Sequence, residues 1–237
     1  MNAVAAVLLA AMVVVLYRHY RRDASRRVRA RSRVFDDCFD LLQHAQGSQD
    51  QSGLPVLQGS YGGYQVALSI VEDTLGWRKL PPLWLLVKVV ANQPSHGSLD
   101  LIVRPANNEF YSPSWQWDGN LAIPAGWPQH AIIKYQQQAV DTAFLEPHVP
   151  VLFNDVRMKE LLVTPAMVRL TYLAKQAQRG EYLIMRNAVY DDSPVSRVEV
   201  EGLLKQAVAI RRDMEKAALN SRGNQHTQSN QPEAINL

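Results

Sequence analysis

The first 33 residues constrain this chain more than any other stretch. Met1 to Tyr17, MNAVAAVLLAAMVVVLY, carries no charged side chain, and the next sixteen residues, RHYRRDASRRVRARSR, carry eight arginines. A run this apolar has to be buried in protein, inserted in lipid or cleaved away. Seventeen helical residues reach roughly 25 Å, slightly under the ~30 Å core of a bilayer. Snorkelling arginines and the interfacial rings of Tyr17 and Tyr20 accommodate a modest mismatch. A cleaved signal peptide is the competing reading. Against it, the N-terminal flank has no Lys or Arg, and no small-x-small site parts the apolar run from the arginines. The expectation is a retained transmembrane helix.

Charge asymmetry sets its orientation. The basic flank stays on the cytoplasmic side, which predicts an N-out, C-in protein of the bacterial inner membrane with its domain in the cytoplasm. Arg18, Arg22, Arg26, Arg29 and Arg33 recur at helical spacing along one stripe, so the helix is expected to run on through them. With Tyr17, Tyr20 and Arg21 they form the expected membrane-contacting set, facing anionic headgroups if they recognise lipid at all. A topology signal alone also accounts for them.

The net charge of +3 misleads about the rest of the chain. Residues 1–33 hold eight of the 25 Lys and Arg and one of the 22 acids, which leaves 17 bases against 21 acids, a net of −4. Such a domain offers no basic face for nucleic acid, and no nucleic-acid partner is expected. Cys38 is the only cysteine, so neither an intrachain disulfide nor a cysteine-rich metal site can form. Its acidic neighbours Asp36, Asp37 and Asp40 disfavour a thiolate, and a packed, unreactive thiol is expected. The histidines are scattered, with no HExxH. GSYGGYQV at Gly59–Val66 lacks the lysine and downstream motifs of a phosphate loop and reads as a hairpin turn. No catalytic, cofactor-binding or metal-binding residue is assigned, and no cofactor is expected.

Hydrophobic periodicity gives the organisation. Phe35–Gln46 reads as a helix and Gly47–Gly53 as a polar link. Leu54–Tyr61 and Gly63–Asp73 read as a hairpin, and Leu83–Asn92 and Ser98–Pro105 as two strands joined by a turn at Gln93–Gly97. Further strands are expected at Ala131–Gln136, Leu161–Thr164, Met167–Leu173 and Glu181–Ala188. Asn154 is placed to cap a short helix over 155–162. Ser196–Ala218 is the clearest amphipathic helix, with Val200, Leu203, Leu204, Ala207 and Ile210 inward and Arg211, Arg212 and Lys216 exposed. The expected fold is α+β: a mostly antiparallel sheet with flanking helices, preceded by one N-terminal transmembrane helix. The corresponding units are an anchor (1–17), a basic juxtamembrane helix and linker (18–53), a globular domain (54–219) and a disordered polar tail (220–237).

Two places invite a ligand or partner. Glu72 and Asp73, with Arg78 and Lys79, form a charged loop at a strand end. Trp115 and Trp117 sit in an irregular stretch where they could plug the sheet end, dip into lipid or meet a partner. The leading functional expectation is a membrane-tethered, non-enzymatic module that binds lipid or an unknown protein partner. The alternative is a membrane-associated enzyme whose site is assembled from distant residues.

Overall fold

The computed structural model describes residues 2–75, 80–90, 97–106, 109–117, 119–137, 141–185 and 188–228, without the side chains at 2, 3, 6, 19, 20, 23–31, 184, 185 and 221–228. It is an α+β fold built on one antiparallel sheet. The strands are β1 (Gln43–Gln49), β2 (Pro55–Tyr61), β3 (Tyr64–Glu72), β4 (Pro82–Val90), β5 (Ser98–Val103), β6 (Gly119–Leu121), β7 (Ala131–Gln136), β8 (Met158–Thr164) and β9 (Met167–Gln176). Their order across the sheet is β1-β2-β3-β4-β9-β8-β5-β7-β6. The helices are α1 (Asn2–Ser32), α2 (Val149–Leu152), α3 (Arg179–Met185) and α4 (Arg197–Gln228).

The left half is a meander that local turn chemistry explains. Tyr61 pairs with Tyr64 across a two-residue loop. Gly62 and Gly63 have φ of 59° and 89°, the positive values such a hairpin turn demands. Alternation then sends Val66, Leu68 and Ile70 to the sheet's front face, where they join Leu85, Val87 and Leu170 in the main core. Helix α4 covers that face, packing on β4 and β9. Its N-terminus has the S-x-x-E pattern, and the Glu199 N–H donates to Ser196 Oγ at 3.4 Å. The expected stripe is the buried one: Val200, Leu204, Ala207 and Ile210 are fully enclosed and Leu203 nearly so. Each fully buried branched aliphatic is worth about 2 kcal/mol of transfer free energy, which makes this stripe the main reason the helix docks.

The expected transmembrane helix is not supported, since among the described residues no helix is long and apolar enough to cross a membrane. Helix α1 does run unbroken from the apolar run into the arginines, but its charge-free part ends at Tyr17. Several local expectations are corrected. Phe35–Gln46 is not an α-helix: a 3-10 helix over Asp36–Leu41 gives way to edge strand β1. The strands β4 and β5 do not form a hairpin, because β9 and β8 lie between them. The helix expected over 155–162 is largely strand β8, in which Met158–Val163 are all buried. A strand clamped between β5 and β9 has both faces covered, which removes the alternation that sequence reading depends on. The strand expected at Glu181–Ala188 is helix α3, and α4 continues past Leu219 to Gln228. Arg211, expected exposed, is fully buried. Its Nε donates to Glu215 Oε1 at 2.8 Å, and Tyr64 Oη donates to the other Glu215 oxygen at 2.9 Å, which pins α4 to the start of β3.

Candidate functional site

The sheet's back face carries the unusual chemistry. Strands β4, β5, β8 and β9 are apolar, yet each places one charged side chain on that face: Lys88, Asp100, Glu160 and Arg169. The register fixes their layout. Lys88 lies opposite Arg169, Arg169 opposite Leu162, Leu162 opposite Asp100, and Asp100 opposite Lys134. Glu160 stands one row away, opposite Thr171. Asp100, Glu160 and Thr171 are fully buried and Arg169 almost so.

Burying charges this deeply requires pairing. Arg169 grips Glu160 with Nε at 3.2 Å and with Nη2 at 2.8 and 2.9 Å. The Thr171 hydroxyl donates to the same carboxylate. Residues 104–106 and 109–117 lie against this face and are tied to it. Ser112 Oγ donates to Asp100 Oδ2, lies 2.9 Å from Ser114 Oγ and accepts from the Ser114 N–H at 3.1 Å. Pro113–Gln116 is a 3-10 helix that Ser112 caps. Lys134 Nζ donates to the Trp117 carbonyl at 3.1 Å. Lys159 Nζ donates to the carbonyls of Val103 and Arg104 at 3.1 and 2.8 Å and pairs with Glu109 at 2.7 Å.

The electrostatics follow from burial. Asp100 has its carboxyl pushed up to about 8, first by burial and then by the Glu160 carboxylate, against the bonds from Ser112 and Ser114. Burial also raises Tyr111, with Glu160 and Glu109 adding to it. Burial pushes Glu109 up, but its bonds to Lys159 and the Ala106 N–H outweigh that and hold it below the usual range. Burial lowers Lys88, and the neighbouring Arg169 guanidinium lowers it further. Three buried polar atoms lack a hydrogen-bond partner among the described residues: Asp100 Oδ1, Trp84 Nε1 and Tyr111 Oη. The Tyr111 and Trp84 rings touch, with centroids 6.0 Å apart. Orphans of this kind mark a face that is not optimised for packing alone.

A second concavity of about 260 Å³ lies where β9 meets the start of α4, lined by Arg157, Tyr172, Lys175, Asp191 and Glu199 among others. Its charges are already matched. Arg157 pairs with Asp155 and Glu199 at 3.2 and 2.6 Å, and Lys175 with Asp191 at 2.7 Å. No group of three or more His, Cys, Asp or Glu among the described residues is placed to hold a metal.

The residues singled out from sequence are spread widely. Tyr17, Arg18, Arg21 and Arg22 lie exposed on α1. Tyr20, Arg26 and Arg29 are on the same helix, their side chains outside the described set. Arg33 pairs with Asp36 at 3.0 Å. Glu72 ends β3. Asp73 is buried in a turn, its N–H donating to the Pro82 carbonyl and its Oδ1 accepting the Leu75 N–H, both at 3.1 Å. Arg78 and Lys79 lie outside the described residues. The two tryptophans part company: Trp117 is buried on the back face, while Trp115 is 69% exposed at the outer tip of the covering segment. Cys38 is fully buried, and its thiol is pushed up to about 11 by burial, then by Asp37 and Asp40.

The back-face cluster itself was missed. Its sequence signal is a lone charge at mid-strand in SLDLIV, MVRLTYL and LLVKVV and an adjacent Lys-Glu pair in MKELLV. That signal becomes meaningful only when the four strands are neighbours. Compared with known proteins, the chain matches no family model, no curated protein and no solved structure, so its function rests on the chemistry of its own residues.

Proposed function

We propose that this chain is a membrane-tethered binding module, anchored N-out through α1, with its α+β domain on the cytoplasmic side of a bacterial inner membrane. One observation carries the reading. The large apolar side chains described on α1, from Val4 to Tyr17, are all more than half exposed and point around the whole helix. A helix that is apolar all round needs an apolar medium. The charge-free run is a few residues short for a bilayer, and helices of that length are accommodated by thinning or snorkelling at fractions of a kcal/mol per ångström of mismatch. The arginines that follow supply the retained flank and favour anionic headgroups.

Binding is preferred to catalysis because Glu160 and Arg169 hold each other, and Asp100 and Lys134 hold the covering segment. The enzyme alternative draws on Asp100 and Glu160, two buried carboxyls on one face of the sheet. It requires substrate to pass beneath the Ser112–Ser114 clasp.

Two experiments test the reading. The full chain should sediment with bacterial membranes and resist an alkaline wash, while a chain lacking residues 1–33 should not; recovery of the full chain in the soluble fraction would sink the anchor. Orientation needs a new reporter, because Cys38 is buried. In a Cys38→Ala, Ser52→Cys double variant, a membrane-impermeant maleimide should label only after the cells are opened. Labelling in intact spheroplasts reverses the topology.

A further inference from the structure

We propose that the back face around Lys88 and Arg169 is a binding site for a phosphate group. This deepens the binding-module reading and rests on it. Gln58, Ala67, Lys88 and Arg169 form one register row across β2, β3, β4 and β9. Directly opposed residues bring their Cβ atoms to about 5 Å, and like charges so placed destabilise a sheet. The Lys88–Arg169 pair is therefore a local rule broken, and such breaks concentrate at functional sites.

The existing pairing does not repair it. Arg169 spends Nε and Nη2 on Glu160, which leaves its Nη1 outside that fork. Glu160 accepts from the Thr171 hydroxyl as well, and among the described residues it makes no bond to Lys88. Lys88 is half-buried, and among the described residues no acid or acceptor offsets its desolvation; its one charged neighbour is Arg169. The ammonium thus sits in a place that weakens it, and an anion there would restore it.

The surroundings suit a tetrahedral oxyanion. Ala67, directly opposite Lys88, and Ser69, two positions along β3 on the same face, are small and part-exposed, and Gln58 on β2 is exposed. The Ser69 hydroxyl adds a neutral donor on that face. A compact ammonium beside a guanidinium N–H is a recurrent phosphate-binding pair. A soluble phosphate and a lipid headgroup present the same group.

The test is a titration of the full chain in a phosphate-free maltoside detergent with inorganic phosphate, and separately with glycerol phosphate, against sodium chloride of equal ionic strength. Saturable binding is expected, at least about tenfold weaker in Lys88→Met and kept within a few-fold in Lys88→Arg. The Lys88→Met thermal midpoint should stay level or rise, because the like-charge contact is gone. Preference for glycerol phosphate assigns the headgroup as source; preference for inorganic phosphate assigns a free ion. Absence of saturable binding to either probe, or equal binding by Lys88→Met, overturns the proposal. Because the titration is done in detergent, its failure leaves the membrane-anchor result untouched, and failure of the anchor leaves the titration result intact.

Discussion

The two faces of this sheet solve opposite problems. On the front, Leu85, Val87 and Leu170 meet the apolar stripe of α4, and stability comes from volume and area without direction. On the back, the same sheet buries Asp100, Glu160, Arg169 and Thr171 under residues 109–117, and order comes from named bonds. An apolar interface tolerates a change of shape at graded cost. A buried ionic network tolerates loss of a partner badly and loss of the whole network well. The front therefore holds the domain together, and the back specifies where one irregular segment lies.

That contrast can be broken by mutation. The largest effect should follow Glu160→Gln, which keeps the shape but strands the Arg169 guanidinium, at a cost of about 4 kcal/mol in urea unfolding. The double replacement Glu160→Met, Arg169→Met should recover most of it; if the double variant is worse than the single, the back face is a stabilising element and the contrast fails. Next comes Leu170→Ala on the front face, at about 3 kcal/mol by the same measurement, from lost transfer energy plus a cavity.

Asp100→Asn should go the other way. An unfolded Asp loses its proton near its ordinary value of 3.8, whereas the folded carboxyl keeps it to about 8. Between those values the folded state holds the extra proton, so wild-type stability falls as pH rises, then levels off above the window. The amide lacks that slope. Asp100→Asn should match wild type near pH 4 and exceed it increasingly toward pH 8. Thermal melts across that range check it, and a pH-independent difference refutes the assignment. Glu109, held low, acts oppositely: its contribution is present at neutral pH and is lost on acidification through its depressed value. The smallest effect belongs to Trp115→Ser at the exposed tip, within about 0.5 kcal/mol. A larger loss in a thermal melt would mean the tip is part of the fold.

Legibility followed the same division. The β2–β3 hairpin was readable because Gly62–Gly63 and clean alternation are local. The α4 stripe was readable because an amphipathic period reports a single covered face. Between β4 and β9 the strands at Leu83–Asn92, Ser98–Pro105, Ala131–Gln136 and Met167–Leu173 were readable as well, but the start of β8 and the order of the strands were not. Strand β8 is covered on both sides, so Met158–Val163 lost the alternation that marks a strand, and Asn154 offered a plausible helix cap in its place. The intervening order β4-β9-β8-β5 is a non-local decision that no turn between β4 and β5 announces.

What the sequence determined by itself was therefore one-dimensional. It set the charge-free run and its arginine flank, the acidic balance of the remainder, the hairpin, the α4 face and the acidic neighbours of Cys38, because each depends on residues a few positions apart. The tertiary structure alone decided that Lys88, Asp100, Glu160 and Arg169 share one face, that Arg211 is buried against Glu215, and that Trp115 and Trp117 lie on opposite sides of their segment. Strand order and sheet register bring together Lys88 and Arg169, 81 positions apart in the chain. A lone charge in an apolar strand acquires its meaning only from the strand beside it.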